Sequence, residues 1–78
     1  DYSKARKDYQ KLQSITPNDP RTYLRFAQIA KAEATNLEEL KNYNLFLKYV
    51  DPNSIPSNEL KLIQNRIKEL ESKNNETP

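Results

Sequence analysis

The feature that most constrains the fold of this chain is a helical spacing of apolar residues, interrupted by proline-containing turns. In the first segment the apolar residues lie three or four positions apart, as on one face of an α-helix. They are Tyr2, Ala5, Tyr9 and Leu12. This segment ends at Pro17, and a later helical segment ends at Pro52, about 35 residues further along the chain. Such a period is typical of repeats built from pairs of helices, which commonly serve as binding scaffolds.

Composition argues against several other classes of protein. The 78 residues include no glycine, cysteine or histidine. Tight β-hairpins, glycine-rich phosphate loops and zinc or copper sites are therefore not expected. A net charge of +2 is too small to indicate binding to nucleic acid or to an anionic membrane. No apolar run reaches the roughly 18 residues that a membrane-spanning helix needs, so no membrane insertion is predicted. We expect one small all-α domain.

The first two of four predicted helices are separated by a turn around Pro17. They run from about Tyr2 to Ile15 and from about Pro20 to Ala34. Asp19 is predicted to cap the second helix, and Pro20 suits the first helical position because its missing N–H is not needed there. The apolar side of the second helix carries Tyr23, Phe26, Ala27, Ala30 and Ala34. The opposite side carries Arg21, Leu24, Arg25 and Gln28.

The third helix is predicted to begin at Asn36 and to end before the segment 51–56, which contains two prolines. Asn36 is expected to cap this helix, and Glu39 follows three residues later, as in a capping box. The apolar side carries Leu37, Leu40, Tyr43, Phe46, Leu47 and Val50. Asn44 interrupts this stripe, so part of the helix is expected to lie near solvent.

The fourth helix is predicted to start at Ser54 or Ser57 and to run to about Ser72. Its single apolar stripe has wide polar flanks, which suits a helix that closes a stack. The stripe consists of Leu60, Ile63, Ile67 and Leu70. Residues 73–78 include no apolar side chain other than the final proline and are predicted to be disordered. The predicted domain therefore covers residues 1–72, and residues 57–72 form its capping helix.

The order of these residues resembles the tetratricopeptide repeat (TPR) family. Ala5, Tyr9, Leu12 and Pro17 resemble the second helix of one repeat. The residues that follow Asn18-Asp19-Pro20 resemble the first helix of the next repeat: Tyr23, Phe26, Ala27 and Ala30. The family usually has tyrosine at the place of Ala30, and the match weakens from there to Pro52. The resemblance covers roughly residues 2–72 and implies antiparallel helical hairpins, a fragment of an α-solenoid. An unrelated four-helix bundle is the alternative.

The resemblance implies a protein–protein interaction module at the C-terminal end of a longer array. Its partner, a protein or an acidic peptide, would bind a concave face at Arg21, Leu24, Arg25 and Gln28. The arginines would hold carboxylates, because a planar guanidinium can bind them bidentately. The alternative interpretation is that the arginines are only solvated and that Leu24 packs on the preceding helix. Two other functions stay open: an end-cap that binds nothing itself, and a nucleic-acid-binding helical repeat, against which the low net charge argues.

The remaining polar and aromatic residues favour structural roles. Tyr2, Tyr9, Tyr23 and Tyr43 fall on apolar stripes and are predicted to pack in the core, whereas Tyr49 lies off the stripe and is expected to be exposed. A basic strip at helical spacing, predicted to be a solvated face, consists of Lys4, Lys7 and Lys11.

No enzyme activity is predicted for this chain. The carboxylate pairs, Glu38 with Glu39 and Glu69 with Glu71, have no histidine or metal beside them to shift a pKa. We therefore assign no catalytic residue, small-molecule substrate, cofactor or metal site.

The start of the chain suggests that it is a piece of a longer protein, since it begins without methionine and inside an amphipathic pattern. No targeting signal is visible, so no compartment is predicted. A first helix without a preceding helix should leave one apolar edge exposed. We therefore expect a homodimer or another contact through that helix.

Overall fold

The computed structural model describes residues 2–76, and the side chains of residues 2–73 within that range. This part of the chain forms four α-helices and no strand. The helices are α1 (Tyr2–Ile15), α2 (Pro20–Ala32), α3 (Asn36–Tyr49) and α4 (Ser57–Glu76), and a short 3-10 helix (Pro52–Ser54) precedes α4. The prediction of an all-α fold with four helices is confirmed. No helix of residues 2–76 has the length and apolar character of a membrane span.

The start of α2 follows from the chemistry of two residues. The Asp19 carboxylate accepts a hydrogen bond from the backbone N–H of Arg21 at 3.0 Å, and Pro20 occupies the first turn. One of the otherwise unpaired N–H groups of the helix end is thereby satisfied. The predicted N-cap is confirmed.

The end of α2 lies two residues before the predicted one, because Ala34 takes up a left-handed conformation with φ 58°. Two hydrogen bonds close the turn, from Ala34 N to Lys31 O at 3.2 Å and from Thr35 N to Ala30 O at 2.9 Å. This pattern is a Schellman motif, in which glycine usually occupies the left-handed position. Because the chain contains no glycine, the end of α2 at this position could not be predicted from the sequence.

The predicted capping box at the start of α3 is wrong. Asn36 is the first helical residue, and the preceding Thr35 makes no capping hydrogen bond through its side chain. Glu39 cannot complete the box, because its carboxylate is fully buried and both of its oxygens accept hydrogen bonds from Arg66 of α4.

Helix α4 begins at Ser57 and continues through Glu76, beyond the predicted end at Ser72. Lys73 Nζ lies 3.5 Å from Glu69 Oε1 one turn earlier, and such pairs support a helix. No proline or glycine interrupts residues 57–76. The predicted disordered tail is therefore helical up to residue 76. Its last two residues, 77 and 78, lie outside the described residues.

The core lies between α2, α3 and α4, and neighbouring helices in the chain pack on each other. Its buried cluster consists of Ala27, Tyr43, Ile67 and Leu70. Ala27 and Leu70 are fully buried. The small side chain of Ala27 lets residues of α3 and α4 come close to α2, so that the three helices share one core.

A buried ion pair joins α3 to α4. Arg66 Nε and Nη2 donate to the two oxygens of Glu39 at 2.7 and 2.9 Å, and Arg66 Nη1 donates to Glu69 at 2.8 Å. The bonds to Glu39 raise the pKa of Arg66 above its usual value. Burial raises the pKa of the nearby Tyr43 hydroxyl, and the charge of Glu39 adds to that increase. Arg66 therefore keeps its positive charge at neutral pH.

Helix α1 has no buried residue and is attached to the other helices through a few contacts. Arg6 donates hydrogen bonds to Glu33 at the end of α2 and to Glu38 in α3. The rings of Tyr9 and Phe26 meet edge to face, with centroids 6.1 Å apart. These contacts hold one side of α1 and leave its other side open.

The tyrosines differ in part from the prediction. Tyr23 and Tyr43 are buried as predicted, and the Tyr23 hydroxyl donates to Pro17 O at 2.7 Å. Tyr2, expected in the core, is 51% exposed because no helix covers that side of α1. Tyr49, expected to be exposed, is half-buried because its ring stacks on the ring of Tyr23, with the two ring centroids 5.6 Å apart.

Candidate partner-binding groove

An open groove of about 610 Å³ lies between α1 and the first half of α2. All four residues that the sequence predicted as partner-binding line it: Arg21, Leu24, Arg25 and Gln28. Tyr9 and Leu12 of α1, together with Thr16 of the following turn, form the facing wall. The structure thus brings the predicted residues together on one concave surface.

The groove continues towards the other end of the two helices. A further depression of about 270 Å³ shares Tyr9, Arg25 and Gln28 with the first. Its other lining residues are Tyr2, Ala5, Ile29 and Ala32. We call the two together the α1–α2 groove.

The apolar wall that α1 contributes to the α1–α2 groove is partly open to solvent. Leu12 is 49% exposed, and the neighbouring Ile15 is 68% exposed. The expectation that the first helix leaves an apolar edge exposed is confirmed. The cause is geometric, since α1 packs on α2 along one side only, through contacts such as that of Tyr9 with Phe26.

The two arginines of the groove differ in their surroundings. The guanidinium of Arg21 donates from Nε and Nη2 to the Asp19 carboxylate, which holds the pKa of Asp19 below its usual value. Arg25 Nη1 donates to Gln28 Oε1 at 3.0 Å. Among the residues with described side chains, no carboxylate forms a salt bridge with Arg25. Arg25 is therefore the better placed of the two to meet an anion.

Leu24 contacts both the core and the α1–α2 groove. It is half-buried and packs against the core cluster that contains Ala27, and it also lines the groove. The sequence predicted either a partner contact or packing on the preceding helix for Leu24, and its contact with the core of α2, α3 and α4 was not expected.

Sequence reasoning missed the contribution of α1 to the groove. Tyr9 is predicted from the sequence to pack in the core, and Leu12 lies on the same apolar stripe. No helix precedes α1 in the sequence, and this predicted that α1 would leave an apolar edge exposed. It did not predict that this edge would form one groove with the polar side of α2.

Three of the four carboxylates that the sequence singled out, Glu38, Glu39 and Glu69, accept hydrogen bonds from arginines. Glu39 is buried against Arg66, and Glu38 accepts a hydrogen bond from Arg6. Among the described residues, no three potential ligand side chains are grouped so as to hold a metal ion.

No protein-family model matches this chain, and no curated protein or solved structure matches it. Its function is therefore inferred from the residues and geometry described above.

Proposed function

We propose that this chain is a protein–protein interaction module that binds a peptide or a partner protein in the α1–α2 groove. One observation supports this proposal: a single groove is lined on one side by the exposed apolar edge of α1 and on the other by Arg21, Leu24, Arg25 and Gln28. An apolar floor with a few polar groups around it is the usual composition of a binding site.

Each side chain has a definite role in this proposal. Arg25 binds a carboxylate of the partner, and Arg21 adds positive charge although it is already paired with Asp19. Leu12 and Leu24 contact apolar side chains. Gln28 uses its amide nitrogen to donate a hydrogen bond to a carbonyl of the partner, since its oxygen already accepts from Arg25.

We also propose a TPR-like organisation for the fold. In it, α1 is the second helix of one repeat, α2 and α3 form the next repeat, and α4 closes the stack. The packing of α1 on α2, α2 on α3 and α3 on α4 supports this arrangement. So does the complete burial of Ala27, where the TPR pattern has a small residue. An α-solenoid built this way would carry the groove on the side of α2 that faces α1.

The proposal is tested by selecting ligands from a displayed library of random peptides on the full chain. The affinity of an enriched peptide is then measured by fluorescence anisotropy for the wild type and for Arg25→Ala. We expect a loss of about tenfold, as for a hot-spot residue. Lys61→Ala, at an exposed site on α4, is the matched control and should leave affinity unchanged. The proposal fails if no peptide is enriched, or if Arg25→Ala and the double variant Arg21→Ala/Arg25→Ala bind normally at low salt.

A structural end-cap is the second candidate function, and the anchoring of α4 favours it. Leu70 is fully buried and Arg66 holds the buried Glu39. Removing residues from Ile55 onward should then unfold the domain. If the chain is only an end-cap, the full chain will bind no library peptide. A nucleic-acid-binding repeat would instead show binding to oligonucleotides that falls steeply with salt.

A further inference from the structure

We infer that Arg6 is a positioning residue of the α1–α2 groove, because its ion pairs keep α1 helical and in place against α2 and α3. This inference rests on the proposed function and adds a residue that lies outside the groove and acts through α1. Three features support it: the low intrinsic stability of α1, the way in which α1 is attached, and the location of Arg6.

Helix α1 lacks the features that stabilise a helix by itself. It has 14 residues, and isolated helices of that length are marginal in water. Its first turn contains no acidic residue and its last turn no basic one, so neither end complements the helix dipole. Lys4 and Arg6 place positive charge near the N-terminus, where it is unfavourable. Since none of its residues is buried, the helix depends on its contacts with α2 and α3.

The two halves of α1 are attached in different ways. Its C-terminal end continues into the Pro17 turn, which is fixed because the Tyr23 hydroxyl donates to Pro17 O at 2.7 Å. In the middle of the helix, Tyr9 meets Phe26. Arg6 lies about 14 Å along the axis from the end of the helix. It is the only residue of α1 that forms a salt bridge with a described side chain, so it is the main attachment of the N-terminal half.

Arg6 connects two carboxylates on different elements. Its Nη2 donates to Glu33, the residue that follows α2, and its Nη1 donates to Glu38 of α3 at 3.1 Å. The Arg6 side chain is only 30% exposed. Lys41 lines the depression beside Arg6 and Glu38, so these four side chains together carry no net charge. The attraction therefore comes from close pairing and not from an excess of one charge, and it is lost when Arg6 is replaced by a neutral residue.

Arg6 lies away from the surface that a partner would contact. The side chains of α1 that line the α1–α2 groove are Tyr2, Ala5, Tyr9 and Leu12. Arg6 lines a separate depression that faces α3. An effect of Arg6 on affinity would therefore report the position of α1 and not a direct contact with the ligand, whatever covers the exposed edge of α1.

The test is hydrogen–deuterium exchange of the full chain. We expect Arg6→Gln to speed exchange of the α1 amides about tenfold and to change exchange in α2, α3 and α4 less than about twofold. A guanidinium shared by two carboxylates is stronger than an ordinary surface pair, which is why a clear effect is expected. Lys7→Gln, at an exposed site on the same helix, is the matched control and should leave exchange unchanged.

Two further measurements separate ion pairing from packing of the Arg6 side chain. Adding Arg6→Gln to the double variant Glu33→Gln/Glu38→Gln should speed α1 exchange no further, because the ion pairs are already absent. Raising the NaCl concentration from about 20 mM to about 1 M should speed α1 exchange in the wild type but not in Arg6→Gln, since salt screens partly exposed pairs. A further increase in the triple variant, or equal salt responses, would overturn the inference.

The effect on the groove is measured with a peptide selected from the random library on the wild-type chain. Arg6→Gln should weaken its binding about threefold or more in fluorescence anisotropy, because only the fraction of molecules with α1 in place can bind. Lys7→Gln should bind as the wild type does. Normal binding by Arg6→Gln would overturn the positioning role.

The outcomes separate this inference from the proposed function, because the exchange measurements need no ligand. If Arg6→Gln and Lys7→Gln exchange alike, the inference is overturned, and the proposed function stands as long as binding depends on Arg25. If Arg6→Gln speeds exchange equally in all four helices, Arg6 stabilises the whole domain and the inference is again overturned. If α1 exchange responds as expected but no library peptide binds, the role of Arg6 in placing α1 is supported and the proposed function fails.

Discussion

At the residue scale, Ala34 occupies a position that favours glycine. Its φ of 58° brings Cβ close to the following carbonyl, at a cost of roughly 1 kcal/mol or more. We predict that Ala34→Gly raises the free energy of unfolding by about 1 kcal/mol, measured by urea denaturation. Ala32→Gly, in the last helical position of α2, is the control and should lower it by about 0.5–1 kcal/mol. A destabilised Ala34→Gly variant would contradict the Schellman assignment.

The Asp19 carboxylate should make the start of α2 sensitive to acid. Hydrogen bonds from the Arg21 side chain and backbone lower its pKa in the folded state. A lowered pKa stabilises the fold above the unfolded-state value near 4, and that stabilisation is lost as the pH falls through the folded value.

We predict that Asp19→Asn, which preserves a capping side chain, loses less stability than the wild type between pH 7 and about pH 3. Thermal melts at the two pH values measure this difference. Asp8→Asn, at an exposed site on α1, is the control and should follow the wild type. Identical acid sensitivity of Asp19→Asn and the wild type would contradict the prediction.

At the scale of the elements, the contact of α3 with α4 depends on the buried pair of Glu39 and Arg66. Arg66→Met would leave the fully buried Glu39 carboxylate without its partner. We predict a loss of about 3–5 kcal/mol in the free energy of unfolding, enough to unfold much of a small domain. Circular dichroism and urea titration measure it.

The double variant Glu39→Leu/Arg66→Met should recover most of that loss, because no charge is then buried. Lys61→Met on the same helix should change stability by no more than about 0.5 kcal/mol. If the single and double variants are equally unstable, the loss of stability comes from the missing packing of the Arg66 side chain and not from the unpaired charge of Glu39.

At the scale of the whole molecule, the core and the groove lie on different sides of α2. The core joins α2 to α3 and α4, whereas the groove joins α2 to α1, and Leu24 belongs to both surfaces. We predict that Leu24→Ala lowers both ligand affinity and the free energy of unfolding, the latter by about 1–2 kcal/mol. Leu12→Ala should lower affinity but cost less than about 1 kcal/mol of stability, since that side chain is half exposed. A large loss of stability for Leu12→Ala would contradict this separation.

The start of α2 and the grouping of residues on helix faces were predictable because they depend on neighbours in the chain. Asp19 caps a helix through a backbone N–H two residues away, and the 3.6-residue period places Arg21, Leu24, Arg25 and Gln28 on one side. The early end of α2 was missed because alanine, not glycine, takes the left-handed position at Ala34.

The local sequence is thus sufficient for the number of helices, their approximate bounds and the grouping of residues on each face. Which faces are covered depends on contacts between residues far apart in the chain. Glu39 is buried because Arg66, 27 residues later, reaches it. Leu12 stays half exposed because α1 packs on one side only, and Arg25 differs from Arg21 through the position of Asp19. Burial and ion pairing require the packed helices, since both follow from distances in space and not from spacing along the chain.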